Sequence, residues 1–350
     1  MKKETFHLVI RFLVGLALSL LICAGMIMTG KLGSNKPLLQ QASGLKGTET
    51  VMTVDGEPVE AWEYLYMVSY TAQNLSYYGI TDLNTELGEG FTAADYVAQQ
   101  AESQAVQQAA IRKWAADMGI TLSEENQAAI AEQKAAYGDN FQTILKLNGL
   151  TEAQFDQIMT TSALYNQLYT AYCAEGGALR PDDKDLIALA EEHGLMTADV
   201  LYIATAELDD AGKAAAKALM EDYARQLNAA EDKAAAFAAL ETAENVTVLA
   251  STTYDGCDET ALNTALAALA EGEVSGVIED EGVYYVALRR AVDLNAVAEM
   301  AFGEDMTARI SGAQVEHNES VYSAINIPAF YTKYAAAQQQ LSATLSQAQG

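Results

Sequence analysis

Basic residues, histidine and cysteine are scarce in this chain. Twenty Lys and Arg stand against 48 Asp and Glu in 350 residues, a formal charge of −28. Between Gly47 and Ile111 there is no Lys or Arg at all. With residues 1–31 set aside, the balance becomes 16 bases against 47 acids, or −31. A body this acidic is repelled by phosphate backbones, so no nucleic-acid partner is expected. The charge reads first as a solvated surface that keeps the protein soluble.

The histidines are His7, His193 and His317, and the cysteines Cys23, Cys173 and Cys257. A zinc site needs about four clustered ligands, and these residues do not supply them. The cysteines include no CxxC, so no disulfide scaffold is expected, and whether Cys173 and Cys257 meet is left open. There is no P-loop, GxGxxG or HExxH, and no cofactor or metal is expected. Gly272-Glu-Val-Ser275-Gly276 carries one residue too many before its serine for a nucleophile elbow. His193 is the only nearby histidine, so a serine or cysteine triad has no support. Carboxylates are too numerous for a catalytic pair to be chosen from spacing.

What the chain does have is apolar residues, half of the total, and a length that suggests two structural units. Phe12–Gly30 is uncharged and would rise about 28 Å as a helix, enough for the hydrocarbon core. Residues 1–31 are therefore read as an N-terminal transmembrane helix of the signal-anchor kind. A cleaved secretory signal is the alternative, although no small-x-small site ends the run. In either case the body is extracytoplasmic, held at the cell membrane by a single pass or secreted after cleavage. Lysines on both sides of the run nearly balance, so orientation rests on the layout of basic head, apolar run and long body. Residues 32–48 read as a flexible tether.

Beyond the tether, Val51–Val54 is strand-like and stops at Asp55-Gly56, and Pro58 is predicted to open a helix. Trp62, Tyr66, Tyr70 and Tyr77 recur at helical spacing and mark one face. Thr92-Ala-Ala-Asp95, Thr121-Leu-Ser-Glu124 and Thr151-Glu-Ala-Gln154 read as helix starts. Gly176-Gly177 and Pro181 end this helical stretch, and a short acidic helix occupies 182–193. Residues 199–203 then read as a strand, 207–241 as helix, 246–249 as strand and 261–270 as helix. A closing hairpin turns at Glu281-Gly282. This order indicates a small α+β domain between about 196 and 292. Residues 293–335 are mixed, and 336–350 are predicted to be a frayed helix.

Five stretches, in order over about 51–292, resemble the exported SurA/PrsA-type chaperones (foldases), which carry a parvulin-type (PpiC/rotamase) peptidyl-prolyl isomerase domain. Val54-Asp-Gly-Glu-Pro-Val59 is similar to that family's V-N-G-E-P-I opening. Gly119–Glu125 and Gly149–Phe155 resemble its two helix starts. Leu179–Leu186 resembles the approach to the isomerase domain. Glu271–Gly276 with Gly282–Val286 resembles that domain's closing hairpin. The resemblance implies a helix-rich α+β protein whose all-α chaperone lobe is formed by both chain ends. Residues 49–195 would be its N-terminal part and 293–350 would pack back on it. A small parvulin-like α+β domain, 196–292, would be inserted between them.

The resemblance also shows where this chain departs. X-Pro rotation faces a barrier of about 18–20 kcal/mol and takes on the order of tens of seconds uncatalysed. Parvulins twist the bond in an apolar pocket centred on a hydrogen-bonded histidine pair. The family's A-S-H-I-L is here Ala198–Tyr202, with Val200 at the histidine. Its G-Y-H-I-I is Gly282–Val286, with Tyr284 at the other, and its G-G-D-L-G loop has no counterpart. Isomerase activity is thus expected to be lost, and the expected role is a membrane-tethered chaperone binding unfolded or newly exported polypeptides. Trp62, Tyr66, Tyr70 and Tyr77 are the client-binding candidates, since tyrosine offers wide apolar contact with a polar tip. The alternatives are an active isomerase with an atypical site and a non-catalytic scaffold that docks a fixed partner. Oligomeric state and client identity are not legible.

Overall fold

The structure is a computed structural model that describes residues 36–243, 246–256 and 258–347. The expected membrane helix over 1–31, and Cys257, lie outside the described residues. Among those described, no helix is long and apolar enough to cross a membrane. The chain forms two compact units. One contains the residues up to Tyr169 together with those from Asp305 onward; the other is Thr170–Glu304.

In the first unit, α1 (Leu38–Ser43) leads to β1 (Thr50–Val54) and β2 (Glu57–Glu60), which pair as an antiparallel hairpin. Its two turn residues, Asp55 (φ 50°) and Gly56 (φ 85°), both take the left-handed conformation that a two-residue hairpin demands. Pro58 therefore sits in a strand rather than opening a helix. The helix α2 starts at Ala61 and runs to Tyr77. Its residues 61–69 are all buried, so it is not a one-faced amphipathic helix but the unit's central rod.

A small hairpin, β3 (Glu86–Gly88) and β4 (Phe91–Thr92), precedes the long α3 (Ala93–Asp117). Here the predicted cap is realised: Thr92 Oγ1 accepts from Asp95 N (3.2 Å) and Asp95 Oδ2 accepts from Thr92 N (2.8 Å). The helix α4 (Glu124–Ala136) is capped by Ser123, two residues after the expected Thr121. Then come α5 (Phe141–Leu147) and α6 (Glu152–Cys173), whose start carries the reciprocal Thr151–Gln154 bonds.

The second unit holds α7 (Asp183–Glu192) and a four-stranded antiparallel sheet in the order β6-β5-β8-β7. Its strands are β5 (Leu195–Ala204), β6 (Thr247–Asp255), β7 (Ile278–Asp280) and β8 (Val283–Arg290). Between β5 and β6 the helical stretch is two helices, α8 (Asp210–Ala229) and α9 (Lys233–Ala238), broken where Asp232 caps the second. The remaining helix is α10 (Ala261–Ala268). Leu201, Val286 and Leu288 pack against Met220, Leu227 and Phe237 of α8 and α9 on one sheet face. Ala198, Val200 and Ala287 pack against Leu262 and Leu266 of α10 on the other. Glu281 (φ 43°) and Gly282 (φ 80°) close the β7–β8 hairpin where expected.

The chain returns through α11 (Leu294–Gly312), β9 (Val315–His317), α12 (Glu319–Tyr322) and α13 (Ile327–Gln347). In the first unit β9 completes the sheet β2-β1-β9, with Met52 opposite His317 and Val54 opposite Val315. Far from fraying after 335, α13 continues to Gln347 because Leu341 and Leu345 are buried in the same core as Trp62 and Phe155. Tyr334 Oη and Gln338 Nε2 both donate to Leu147 O, at 3.1 and 2.9 Å.

Candidate functional site

The four aromatics of α2 fall into different environments. Trp62 is 2% exposed and Tyr66 4%, so both are core residues with no ring available to a client. Trp62 Nε1 donates to Glu60 Oε2 at 2.8 Å. Tyr70 is half-buried, whereas Tyr77 is 85% exposed beside Tyr78 at 78%. The two rings meet edge to face, centroids 5.4 Å apart. Leu87 and Phe91 of the next hairpin are also exposed. Sequence reasoning missed Tyr78, because it sits at the helix C-cap and breaks the stripe's spacing.

The C-terminal segment is fastened to α3 by a titratable cluster. Glu102 Oε2 accepts from Tyr322 Oη and lies against His317 Nε2, each at 3.0 Å. The His317 and Tyr322 rings lie tilted against each other with centroids 4.2 Å apart, and the Tyr64 ring centroid is 5.8 Å from that of Tyr322. Burial, followed by the neighbouring Tyr322, holds the Tyr64 phenol far above its usual range, so it stays neutral. Another buried charge pair braces α2 to α3: Arg112 Nη1 meets Glu63 Oε1 at 2.7 Å and Nη2 meets Oε2 at 3.3 Å.

In the second unit, the structure does not bring Val200 and Tyr284 together. Val200 is opposite Ala287 and Tyr284 is opposite Ile203. An offset of three residues puts them on opposite faces of the sheet. Val200 packs toward α10, and Tyr284 packs among Leu201, Val286 and Met220 under α8. Of β8, Ala287 and Tyr285 share Val200's face, and the Tyr285 ring lies 6.1 Å from that of Tyr202. Tyr254 of β6 packs on the same face, and burial pushes its phenol up to about 12. Burial, then Asp280, also raises Tyr285. This face thus offers phenols over an apolar floor and, among the described residues, no imidazole. The Tyr254 and Tyr285 hydroxyls, both raised by burial, can donate hydrogen bonds, and the rings can stack.

Cys173 is buried and its thiol is pushed up to about 12, chiefly by burial, which leaves it protonated and unreactive. Among the described residues, no group of three or more His, Cys, Asp or Glu could hold a metal ion.

No curated protein matches the chain. Among solved structures, the foldase PrsA of Lactococcus lactis is 20% identical, covering 82% of this chain and 99% of its own, with a TM-score of 0.27. PrsA of Bacillus subtilis is 15% identical, covering 67% and 87%, also at 0.27. A structure from the Campylobacter jejuni pair PEB4 and Cj1289, described as SurA-like chaperones, is 13% identical over 77% and 98%, at 0.19. Superpositions this loose say nothing of function. The family model of the SurA-like N-terminal domain, however, matches residues 1–169. The exposed Tyr77–Tyr78 pair and the buried α2 lie within that stretch, over which the chain is similar to the SurA-like N-terminal domain.

Proposed function

We propose that this protein is a membrane-tethered extracytoplasmic chaperone that holds unfolded exported polypeptides through its first unit. The observation that carries the reading is the exposed aromatic pair Tyr77 and Tyr78 in a SurA-like N-terminal domain. Rings presented to water suit transient apolar contact with many sequences. Tethering and export rest on the apolar run Phe12–Gly30.

The second unit is read as a parvulin-like domain that no longer isomerises prolyl bonds. Val200 and Tyr284 replace the expected imidazoles, and Tyr202 and Tyr285 crowd the face that Val200 occupies. The test is aggregation of a heat-unfolded client such as citrate synthase, followed by light scattering with the full chain added. Scattering is expected to fall progressively and reach its floor near equimolar chaperone. Scattering unchanged at a fivefold molar excess would overturn the reading.

A further inference from the structure

Acidic residues are spread unevenly along this chain: all but Glu4 of its 48 Asp and Glu lie between Glu49 and Glu319. The two acid-free ends meet in the first unit, where α13 packs on α1 and on α5, a helix that carries no acid either. These three helices border an open groove of about 660 Å³, within the size range of ligand sites. The core residues Leu145 and Leu341 form its apolar side. Lys36 and Lys146, both exposed, line it together with the carboxamides of Gln142 and Gln340. The one carboxylate among its described lining residues, Glu152, is held by Lys134 at 2.8 Å. On a chain of net charge −28, a groove that shows cations and no available carboxylate draws anions. Its place along the chain decides which anion can reach it. Lys36 follows the apolar run Phe12–Gly30 by six residues, about 20 Å of fully extended chain, so anchoring keeps this lysine beside the lipid headgroups.

We propose that the groove faces the bilayer and seats the phosphate of an anionic phospholipid. Lys36 and Lys146 supply the counter-charge, and Gln142 and Gln340 donate to the remaining headgroup oxygens. The proposal rests on the membrane tether proposed above and adds a headgroup-specific contact to it. In this arrangement the acid-free ends meet a surface that repels the rest of the body.

The test is amine footprinting of the full chain in nanodiscs, made of phosphatidylcholine alone or with an equal part of phosphatidylglycerol. Acetylation of each lysine is followed by mass spectrometry. Phosphatidylglycerol is expected to slow Lys36 and Lys146 about fivefold, the scale of one lysine held at an anionic surface, and to leave exposed Lys184 of α7 unchanged. In Lys146→Gln the slowing at Lys36 is expected to disappear, and in Lys36→Gln that at Lys146; both positions are exposed, so the fold is retained. Equal rates in the two discs would overturn the site. So would slowing that survives loss of the partner lysine, which marks a general surface potential. Slowing reproduced in phosphatidylcholine discs by inorganic phosphate would mark a free-anion site, and by reduced, carboxymethylated lactalbumin a client groove; either overturns the lipid assignment. A chain that does not incorporate into discs removes the tether and the lipid site together, whereas incorporation with equal rates removes the lipid site alone.

Discussion

Arg112→Met is expected to lower the stability of the first unit by about 3 kcal/mol at neutral pH, because it strands Glu63 without its cation. The Glu63 side chain is only 4% exposed and its sole ion-pair partner among the described residues is Arg112. Burial holds the Glu63 carboxyl above its ordinary value, and Arg112 only partly pulls it back. A carboxyl raised in this way stabilises the fold fully below its unfolded pKa, and that contribution is lost as pH rises through the folded value. Removing Arg112 lifts the folded value further, so the variant's penalty should shrink on acidification as Glu63 takes up a proton. Both tryptophans of the chain, Trp62 and Trp114, are buried in this unit, so urea unfolding followed by tryptophan fluorescence reports on it alone. The expected record is a large penalty at pH 7.5, a smaller one at pH 5, and recovery in the Glu63→Leu/Arg112→Met double variant. A penalty under about 0.5 kcal/mol, the size of an exposed pair, would show that the bridge braces nothing.

Tyr77→Ser/Tyr78→Ser is expected to cost more than tenfold in affinity for an unfolded client while leaving the thermal midpoint unchanged. Aromatic anchors carry a disproportionate share of binding energy, and each ring lost removes on the order of 1–2 kcal/mol. Both rings are largely in water already, so folding loses little with them. Trp62→Ala and Tyr66→Ala should behave oppositely. Each opens a cavity in a packed core and destabilises by about 3–5 kcal/mol. Fluorescence anisotropy with labelled lactalbumin, read beside a thermal melt, separates the two classes. Equal loss of stability in both would mean that the exposed pair is structural after all.

These contrasts mark where sequence reasoning reached and where it stopped. Turns and caps were legible, since their chemistry is local. Asp55-Gly56, Glu281-Gly282 and Thr92–Asp95 each do what their residue types favour. Burial was harder to read. The Trp62–Tyr77 spacing indicates a helix, but only the tertiary packing of α3 and α13 decides that residues 61–69 are enclosed on every side. The end from 336 reads as a frayed helix, yet Leu341 and Leu345 at four-residue spacing dock it in the core. Strand phase was hardest. Val200 and Tyr284 align with the family's histidines one segment at a time, but only the β5–β8 register shows that they face opposite ways.

The central claim is that this chain holds clients and does not isomerise them. It is tested most directly by adding the full chain to a refolding client whose slow phase is limited by prolyl isomerisation, recording rate and final yield together. The account expects a higher yield with the slow phase unchanged, still on the order of tens of seconds. A faster slow phase would contradict it and would make the tyrosine face around Val200 an active site.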